Sequence, residues 1–144
     1  MGVDKWDLRF LEMASLISGW SKDPSTRVGA VIVNKDKQII SLGYNGLPKK
    51  IPDDPIILNN RFEKYKYIIH AETNAILTAN SSIKDCTIYT FPFLPCTNCA
   101  SMIIQSGVKR VVSFQCVDNR WKTALQDSKS LFQIANVECI EYEL

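Results

Sequence analysis

The chain has 144 residues, of which 46% are apolar and 22% are charged, and its formal net charge is +2. These values are typical of one soluble globular domain, taken here as residues 1–144. No stretch reaches the roughly 18 apolar residues of a membrane helix, and no basic stripe predicts binding to a nucleic-acid polymer. The first residues lack the apolar segment of a secretory signal. Five cysteines, an odd number, fit a reducing cytosol better than a disulfide framework, so we expect a cytoplasmic protein.

The first part of the chain predicts a helix followed by a β-hairpin. Asp4 can cap the helix, in which apolar residues recur at helical spacing as far as Ile17. Residues 28–33 form a short apolar run, as expected of a buried strand. A turn at residues 34–37 then leads to a second strand at residues 39–44.

Residues 47–67 contain three prolines and show no clean periodicity. A loop of about 20 residues is uncommon in a compact domain unless it is functional or carries local helix. We predict a short helical piece at residues 59–67. The segment is interpreted as a lid, an effector site or a subunit contact rather than as a linker between domains.

Helices and strands alternate in the rest of the chain. The predicted elements are helices at residues 70–79, 96–106 and 121–135, and strands at residues 86–91, 110–114 and 137–142. The order α-β-β-α-β-α-β-α-β indicates an α/β protein with a mixed sheet packed by helices. A helix lies between the fourth and fifth strands, so we expect these two strands to be parallel.

The residues that carry chemistry fall at two predicted helix starts. His70, the only histidine, together with Cys96 and Cys99 makes three zinc-type ligands. A structural zinc site usually has four protein ligands, whereas a catalytic site keeps a position open for water. The positive end of a helix favours the thiolate form of cysteine, which binds metal. Glu72 lies two residues after His70 and is the candidate proton carrier between the water and a substrate.

Either half of this pattern is weak alone, but H-x-E followed by P-C-x-x-C is much more specific and is a known signature of zinc nucleobase deaminases. Residues 70–77 (HAETNAIL) and 95–100 (PCTNCA) resemble the two metal-site helices of the zinc-dependent cytidine deaminase superfamily. Residues 21–30 and 43–48 resemble stretches typical of its deoxycytidylate (dCMP) deaminase branch.

The resemblance implies a three-layer α-β-α cytidine-deaminase-like fold with a five-stranded mixed sheet. It implies that His70, Cys96 and Cys99 bind zinc and that Glu72 is the proton shuttle. Asn45 would contact the sugar hydroxyl, and the Ala71 backbone N–H would hold the pyrimidine carbonyl. Some relatives bind a second zinc through His and Cys in the long loop. Residues 47–67 contain neither, so we expect one zinc per chain.

The implied reaction converts dCMP and water to dUMP and ammonia, which supplies dUMP for thymidylate synthesis. The 5′-phosphate of the substrate needs cationic or N–H partners. Lys22, Thr26 and Arg120 are the candidates, and Trp121 is a candidate wall of the pocket. The alternative for Trp121 is a residue at the start of a helix that simply packs on the core.

Members of this family are commonly homohexamers, activated by dCTP with Mg²⁺ and inhibited by dTTP. The resemblance thus implies an effector site near Gly46, Lys49 and Asp53, although a solvated charged loop explains the same residues equally well.

Two other classes of function stay open at this point. The first is a deaminase for another substrate, such as cytidine, guanine or tRNA adenosine. The second is a catalytically silent deaminase fold used for binding or assembly, against which the intact Glu72 argues. A polynucleotide-editing deaminase is disfavoured by the low net charge.

Overall fold

The computed structural model describes residues 4–143, which form a five-stranded sheet with helices on both faces. The strands are β1 (Gly29–Val33), β2 (Ile39–Tyr44), β3 (Thr87–Phe91), β4 (Arg110–Phe114) and β5 (Glu138–Tyr142). The helices are α1 (Lys5–Ser18), α2 (Pro55–Asn59), α3 (Arg61–Tyr67), α4 (Ala71–Thr78), α5 (Thr97–Ser106) and α6 (Asn119–Ile134). None of these helices is long and apolar enough to cross a membrane.

The strand order is β2-β1-β3-β4-β5. β1 is antiparallel to both β2 and β3, whereas β3 with β4 and β4 with β5 are parallel. The predicted mixed sheet and its parallel fourth and fifth strands are therefore confirmed. The helix-containing segments that precede β4 and β5 provide the long crossovers that parallel neighbours require.

Two apolar cores lie on opposite faces of the sheet. Along β1, Ala30 and Ile32 face the core shared with α4, α5 and α6, whereas Val31 and Val33 face the core shared with α1. This alternation follows from the two-residue period of a strand, and all five β1 residues are buried. The continuous apolar run of the sequence is therefore that of a strand covered by helices on both faces.

Helix α4 approaches the sheet closely because β2 carries a glycine beneath it. A Cβ atom added at Gly43 would lie 2.3 Å from the carbonyl oxygen of Ala71 and 2.5 Å from the amide nitrogen of Ala75. No side chain fits in this space. The absence of one at Gly43 sets the height of α4 above the sheet, and α4 carries part of the candidate site.

On the other face, a buried carboxylate ties α1 to the sheet. Asp7 is fully buried and accepts hydrogen bonds of 2.8 and 2.6 Å from Arg110 and of 2.8 and 2.6 Å from the hydroxyls of Tyr89 and Tyr142. Burial alone would raise the pKa of Asp7, but these donors hold the pKa below its ordinary value. Helix α1 is thereby joined to β3, β4 and β5.

The long segment at residues 47–67 contains two helices where the sequence predicted one. The predicted helical piece at residues 59–67 corresponds to α3, but α2 was missed. Its start signal is local: the Asp54 side chain caps the helix, and Pro55 occupies its first position. A β-bridge between Gly46 and Ile69 joins the two ends of the segment, so it leaves the sheet and returns to the same place.

Candidate active site

His70 and Cys96 occupy the same position in two different helices. Each is the N-cap residue, of α4 and α5 respectively, with extended backbone dihedral angles. Neither side chain caps its own helix, although capping is the usual role of a polar side chain there. The two side chains face each other instead. The predicted helices at residues 70–79 and 96–106 are thus one residue too long at their starts.

The geometry of these residues fits a zinc ion. The Nδ1 atom of His70 lies 3.5 Å from the Cys96 sulfur and 3.3 Å from the Cys99 sulfur. A tetrahedral zinc with ordinary bond lengths separates nitrogen and sulfur ligands by about 3.6 Å. Among residues 4–143, these three form the one group of His, Cys, Asp or Glu side chains close enough together to hold a metal, with ligand atoms within 4.8 Å of one another.

The two thiols are electrostatically inequivalent. A hydrogen bond from Cys99, aided by His70, holds the pKa of Cys96 well below its ordinary value. The same pairing with Cys96, together with burial, raises the pKa of Cys99. The pair of thiols therefore carries one negative charge readily, whereas ionisation of both thiols requires a bound cation. Since the donor set is three soft or borderline ligands without a fourth protein ligand, it suits a catalytic zinc.

Glu72 lies beside this group and is almost completely buried, with 4% of its surface exposed. Burial raises the pKa of Glu72 to about 7, because the charged form loses hydration. A carboxyl group with this pKa can both accept and return a proton near neutral pH.

Thr73, the next residue of α4, contacts the third ligand. Its hydroxyl oxygen lies 3.7 Å from the Cys99 sulfur and 3.8 Å from the Met102 sulfur. A metal-bound cysteine carries no proton, so the hydroxyl must be the donor when Cys99 binds metal. Hydrogen bonds of this kind orient metal ligands and tune their charge.

The site opens into a pocket of about 370 Å³, a size suited to a small organic ligand. The predicted residues that line it are Thr26, Asn45, His70, Ala71, Glu72, Cys96 and Trp121. Trp121 stacks on Phe93 with 5.9 Å between ring centroids and also packs against the core beneath α6. Both interpretations of Trp121 therefore describe its position.

Asn45 is buried, and its side chain is engaged by the protein itself. Its Oδ1 atom accepts a 2.9 Å hydrogen bond from the backbone of Val28, and its Nδ2 atom donates a 2.9 Å bond to the carbonyl of Thr26. Asn45 thus holds the segment before β1 against the end of β2. Asn45 also lines the pocket. Its contact with the sugar stays a prediction, and these bonds give it a structural role.

The two predicted cations for the phosphate do not line the pocket. Lys22 is exposed and lies 2.8 Å from Asp53. Arg120 is exposed and paired with Asp118, and its guanidinium carbon lies 5.9 Å from the ring centroid of Trp121. Arg120 therefore sits beside the wall of the pocket rather than within it.

The predicted effector residues are likewise separate from the pocket. Gly46 forms the bridge with Ile69, Lys49 is exposed, and Asp53 is paired with Lys22.

The sequence interpretation missed a buried ion pair in the lining. Lys64 of α3 and Asp23 each expose 4% of their side chains and are joined by a 3.0 Å contact. Asp23 could have been noticed as a turn-forming residue before Pro24. Lys64 lies in a run of mixed charges, and nothing in the sequence marks it as buried.

Comparisons with known proteins agree on the family. The family model "Cytidine and deoxycytidylate deaminase zinc-binding region" matches residues 4–115. An uncharacterised deaminase in the luxG 3′ region of Aliivibrio fischeri is 42% identical over 139 residues, covering 94% of this chain and 92% of that protein. Deoxycytidylate deaminase of Mus musculus is 40% identical over 141 residues, covering 92% and 77%.

Solved structures agree on the fold. The dCMP deaminase of cyanophage S-TIM5, in complex with dCMP and dUMP, superposes with a TM-score of 0.75 at 24% identity, and the match covers all of both chains.

Proposed function

Since this chain belongs to the cytidine and deoxycytidylate deaminase family, we propose that it deaminates dCMP to dUMP and ammonia. One observation carries the proposal: a buried carboxyl group, Glu72, lies beside a three-ligand metal group at a ligand-sized pocket. Relatives named deoxycytidylate deaminase, such as the mouse protein, support the choice of substrate.

His70, Cys96 and Cys99 would hold one zinc ion per chain. Bound there, zinc supplies Lewis-acid activation of a water molecule near neutral pH. Glu72 accepts the proton that the water loses. The same carboxyl group delivers this proton to the pyrimidine ring nitrogen. It then accepts the remaining proton of the hydroxyl group added to the ring carbon and delivers it to the amine, which leaves as ammonia. Its raised pKa suits both directions of transfer.

The remaining lining positions the pyrimidine. Ala71 is the first residue of α4, and its N–H is among the amides at a helix start that have no partner within the helix. This N–H is proposed to hold the pyrimidine carbonyl. The Phe93–Trp121 pair offers an apolar wall for the ring. Asn45, in the lining next to Thr26, is proposed to contact the sugar hydroxyl.

The proposal extends to the regulation and setting of the enzyme. It includes activation by dCTP with Mg²⁺, inhibition by dTTP, a homohexameric assembly and a cytoplasmic role in supplying dUMP. The charged residues Lys49 and Asp53 near Gly46 are the proposed effector contacts. Support for this part comes from the resemblance to the dCMP deaminase branch.

Turnover of a substrate panel tests the proposal. The zinc-loaded protein is assayed with dCMP, deoxycytidine, cytidine, guanine and a tRNA anticodon stem-loop, and dCMP is then assayed with dCTP–Mg²⁺ or dTTP. We expect the highest kcat/KM on dCMP, a rise with dCTP–Mg²⁺ and a fall with dTTP. Equal activity on deoxycytidine and dCMP would count against the substrate, and a flat response to both triphosphates would refute the regulation.

A further inference from the structure

A lysine is buried in the lining of the pocket, outside the residues that perform the chemistry. Its side chain belongs to α3, the second helix of the long segment before α4. The Nζ atom of Lys64 lies 3.0 Å from Asp23 Oδ1 and 2.6 Å from Ser25 Oγ. Burial of a lysine is costly unless its charge is paired, so this position calls for an explanation.

The hydrogen bonds around Lys64 leave one of its donors unassigned. An ammonium group has three N–H donors, and two point to Asp23 and Ser25. Within residues 4–143, no third partner accepts from it. The Thr26 hydroxyl, also in the lining, forms no side-chain hydrogen bond in the same part of the chain. Two donors are thus available at the pocket beside the turn at residues 23–26.

Asp23 fixes this arrangement. Its Oδ1 atom also accepts from the amides of Ser25 and Thr26, at 2.8 and 3.2 Å. The side-chain Nδ2 atom of Asn45 lies 3.4 Å from the Oδ2 atom of Asp23. Burial alone would raise the pKa of Asp23, but these donors hold the pKa below its ordinary value. The Asp23 carboxylate orients the ammonium group of Lys64 through the 3.0 Å contact. Asp23 is therefore a positioning residue for Lys64.

We infer that Lys64, with the Thr26 hydroxyl, binds the phosphate monoester of the substrate and so makes the enzyme prefer a nucleotide to a nucleoside. This inference rests on the proposed function and names a residue that would determine the preference for dCMP over deoxycytidine. A buried ammonium donor gives a stronger contact with an anion than an exposed one does. Lys22 and Arg120 are exposed and do not line the pocket, so each contributes less to this discrimination.

The test must separate loss of the phosphate contact from damage to the fold. Lys64→Met alone leaves the buried Asp23 carboxylate without its cation, which is strongly destabilising. We therefore pair it with Asp23→Asn, because asparagine keeps an oxygen acceptor for the amides of Ser25 and Thr26. Lys66→Met is the matched control, since Lys66 lies on the same helix, is exposed and, among the residues that the structure describes, is paired only with Glu63.

The measurement is kcat/KM on dCMP and on deoxycytidine for the zinc-loaded wild type, the double variant and the control. We expect the double variant to lose about 10- to 100-fold on dCMP, the effect of one charge-assisted hydrogen bond, and less than about twofold on deoxycytidine. Equal losses on both substrates would make Lys64 a structural residue, and an unchanged dCMP value would overturn the inference. If the wild type does not turn over dCMP, the proposed function itself fails.

A second measurement covers the case in which the double variant does not fold. Wild-type protein labelled with ¹⁵N-lysine is titrated with dUMP and with deoxyuridine, and Lys64→Arg identifies the Lys64 Nζ resonance by its loss. The resonance should shift with dUMP and stay in place with deoxyuridine. The same response to both ligands contradicts a phosphate contact.

Discussion

Gly43 on β2 and Ala71 at the start of α4 are in contact through backbone atoms alone, and a Cβ at Gly43 would lie 2.3 Å from the Ala71 carbonyl oxygen. His70 and Glu72 flank Ala71 in the chain. The positions of the proposed metal ligand and the proposed proton carrier therefore depend on the absence of a side chain in the sheet below.

Gly43→Ala should displace α4 and weaken the site without changing any polar residue. Since the opposing atoms are backbone, they cannot rotate away, and we expect a loss of about 3 kcal/mol in the free energy of unfolding. Zinc content after dialysis and thermal unfolding measure the effect. Gly46→Ala is the control for these two properties, because a Cβ there has no neighbour within 4 Å. Equal zinc content and equal Tm in the two variants would show that α4 tolerates the shift.

Asp7→Asn should destabilise the protein by about 3 kcal/mol at pH 7, because it leaves the partly buried Arg110 without its carboxylate. The pKa of Asp7 is depressed in the folded state. Its stabilising contribution is therefore complete above the ordinary pKa of 3.8 and is lost as pH falls through the lower folded value. The wild type and the variant should converge in stability below pH 3.8.

Urea denaturation at a series of pH values measures this convergence. Asp127→Asn serves as the control, since Asp127 is exposed on α6. A stability difference between wild type and Asp7→Asn that stays constant down to acid pH would contradict the linkage.

Ser128→Ala should stabilise the protein by about 1 kcal/mol. Ser128 is completely buried on α6, and its hydroxyl is the one buried side-chain oxygen or nitrogen in residues 4–143 without a hydrogen-bond partner. Alanine removes this unsatisfied group and also has the higher helix propensity. The midpoint of urea denaturation provides the measurement. Ser130→Ala is the matched control, because Ser130 is exposed and its hydroxyl donates a hydrogen bond to the Gln126 carbonyl. A lower midpoint for Ser128→Ala than for Ser130→Ala would show that Ser128 is engaged.

Thr73→Val should weaken zinc binding by about tenfold, in line with the loss of other contacts that orient metal ligands. The valine has nearly the shape of threonine but cannot donate to the Cys99 sulfur. Zinc affinity is measured by competition with a chelator, and the sulfur-to-metal absorption band of the cobalt-substituted protein reports the thiolate. Thr73→Ser keeps the hydroxyl and should retain the wild-type affinity. Equal affinities for the valine and serine variants would exclude the hydrogen bond.

Glu72→Gln should retain zinc and lose nearly all turnover, at least about 100-fold, because an amide of the same shape cannot transfer the proton. Metal analysis and dCMP turnover are measured on the same sample. Near-normal turnover in this variant would reassign the role of proton carrier to another residue.

Local patterns predicted most of the fold. A continuous apolar run predicts β1. Pro95 before α5 and Gly107 after it predict the two ends of that helix. Gly107 indeed adopts a positive φ of 90° at the helix end. The parallel pairing of β4 with β5 followed from the helix between them. Helix α2 was missed because five residues are too few to show a period, although Asp54 and Pro55 mark its start.

The metal group was predictable because its ligands are rare residue types at a specific spacing. The charged residues in and near the pocket could not be predicted in the same way. Lys22 and Lys64 are both lysines near polar residues in the sequence, yet one is exposed and the other buried. That difference depends on how the segment at residues 47–67 folds back, because α3 brings Lys64 to a turn 41 residues earlier in the chain. No local pattern reports such a contact.

The spacing of the two N-cap residues has a consequence for folding. His70 and Cys96 are 26 residues apart in the chain, with β3 between them. An ion held by both closes this stretch into a loop, as a disulfide would, and closure of a loop of that length removes about 3.5 kcal/mol of chain entropy from the unfolded state. Zinc held there would thus be a reversible crosslink between α4 and α5 as well as the proposed catalytic ion. Removal of the metal would therefore lower the free energy of unfolding of the protein as well as its activity.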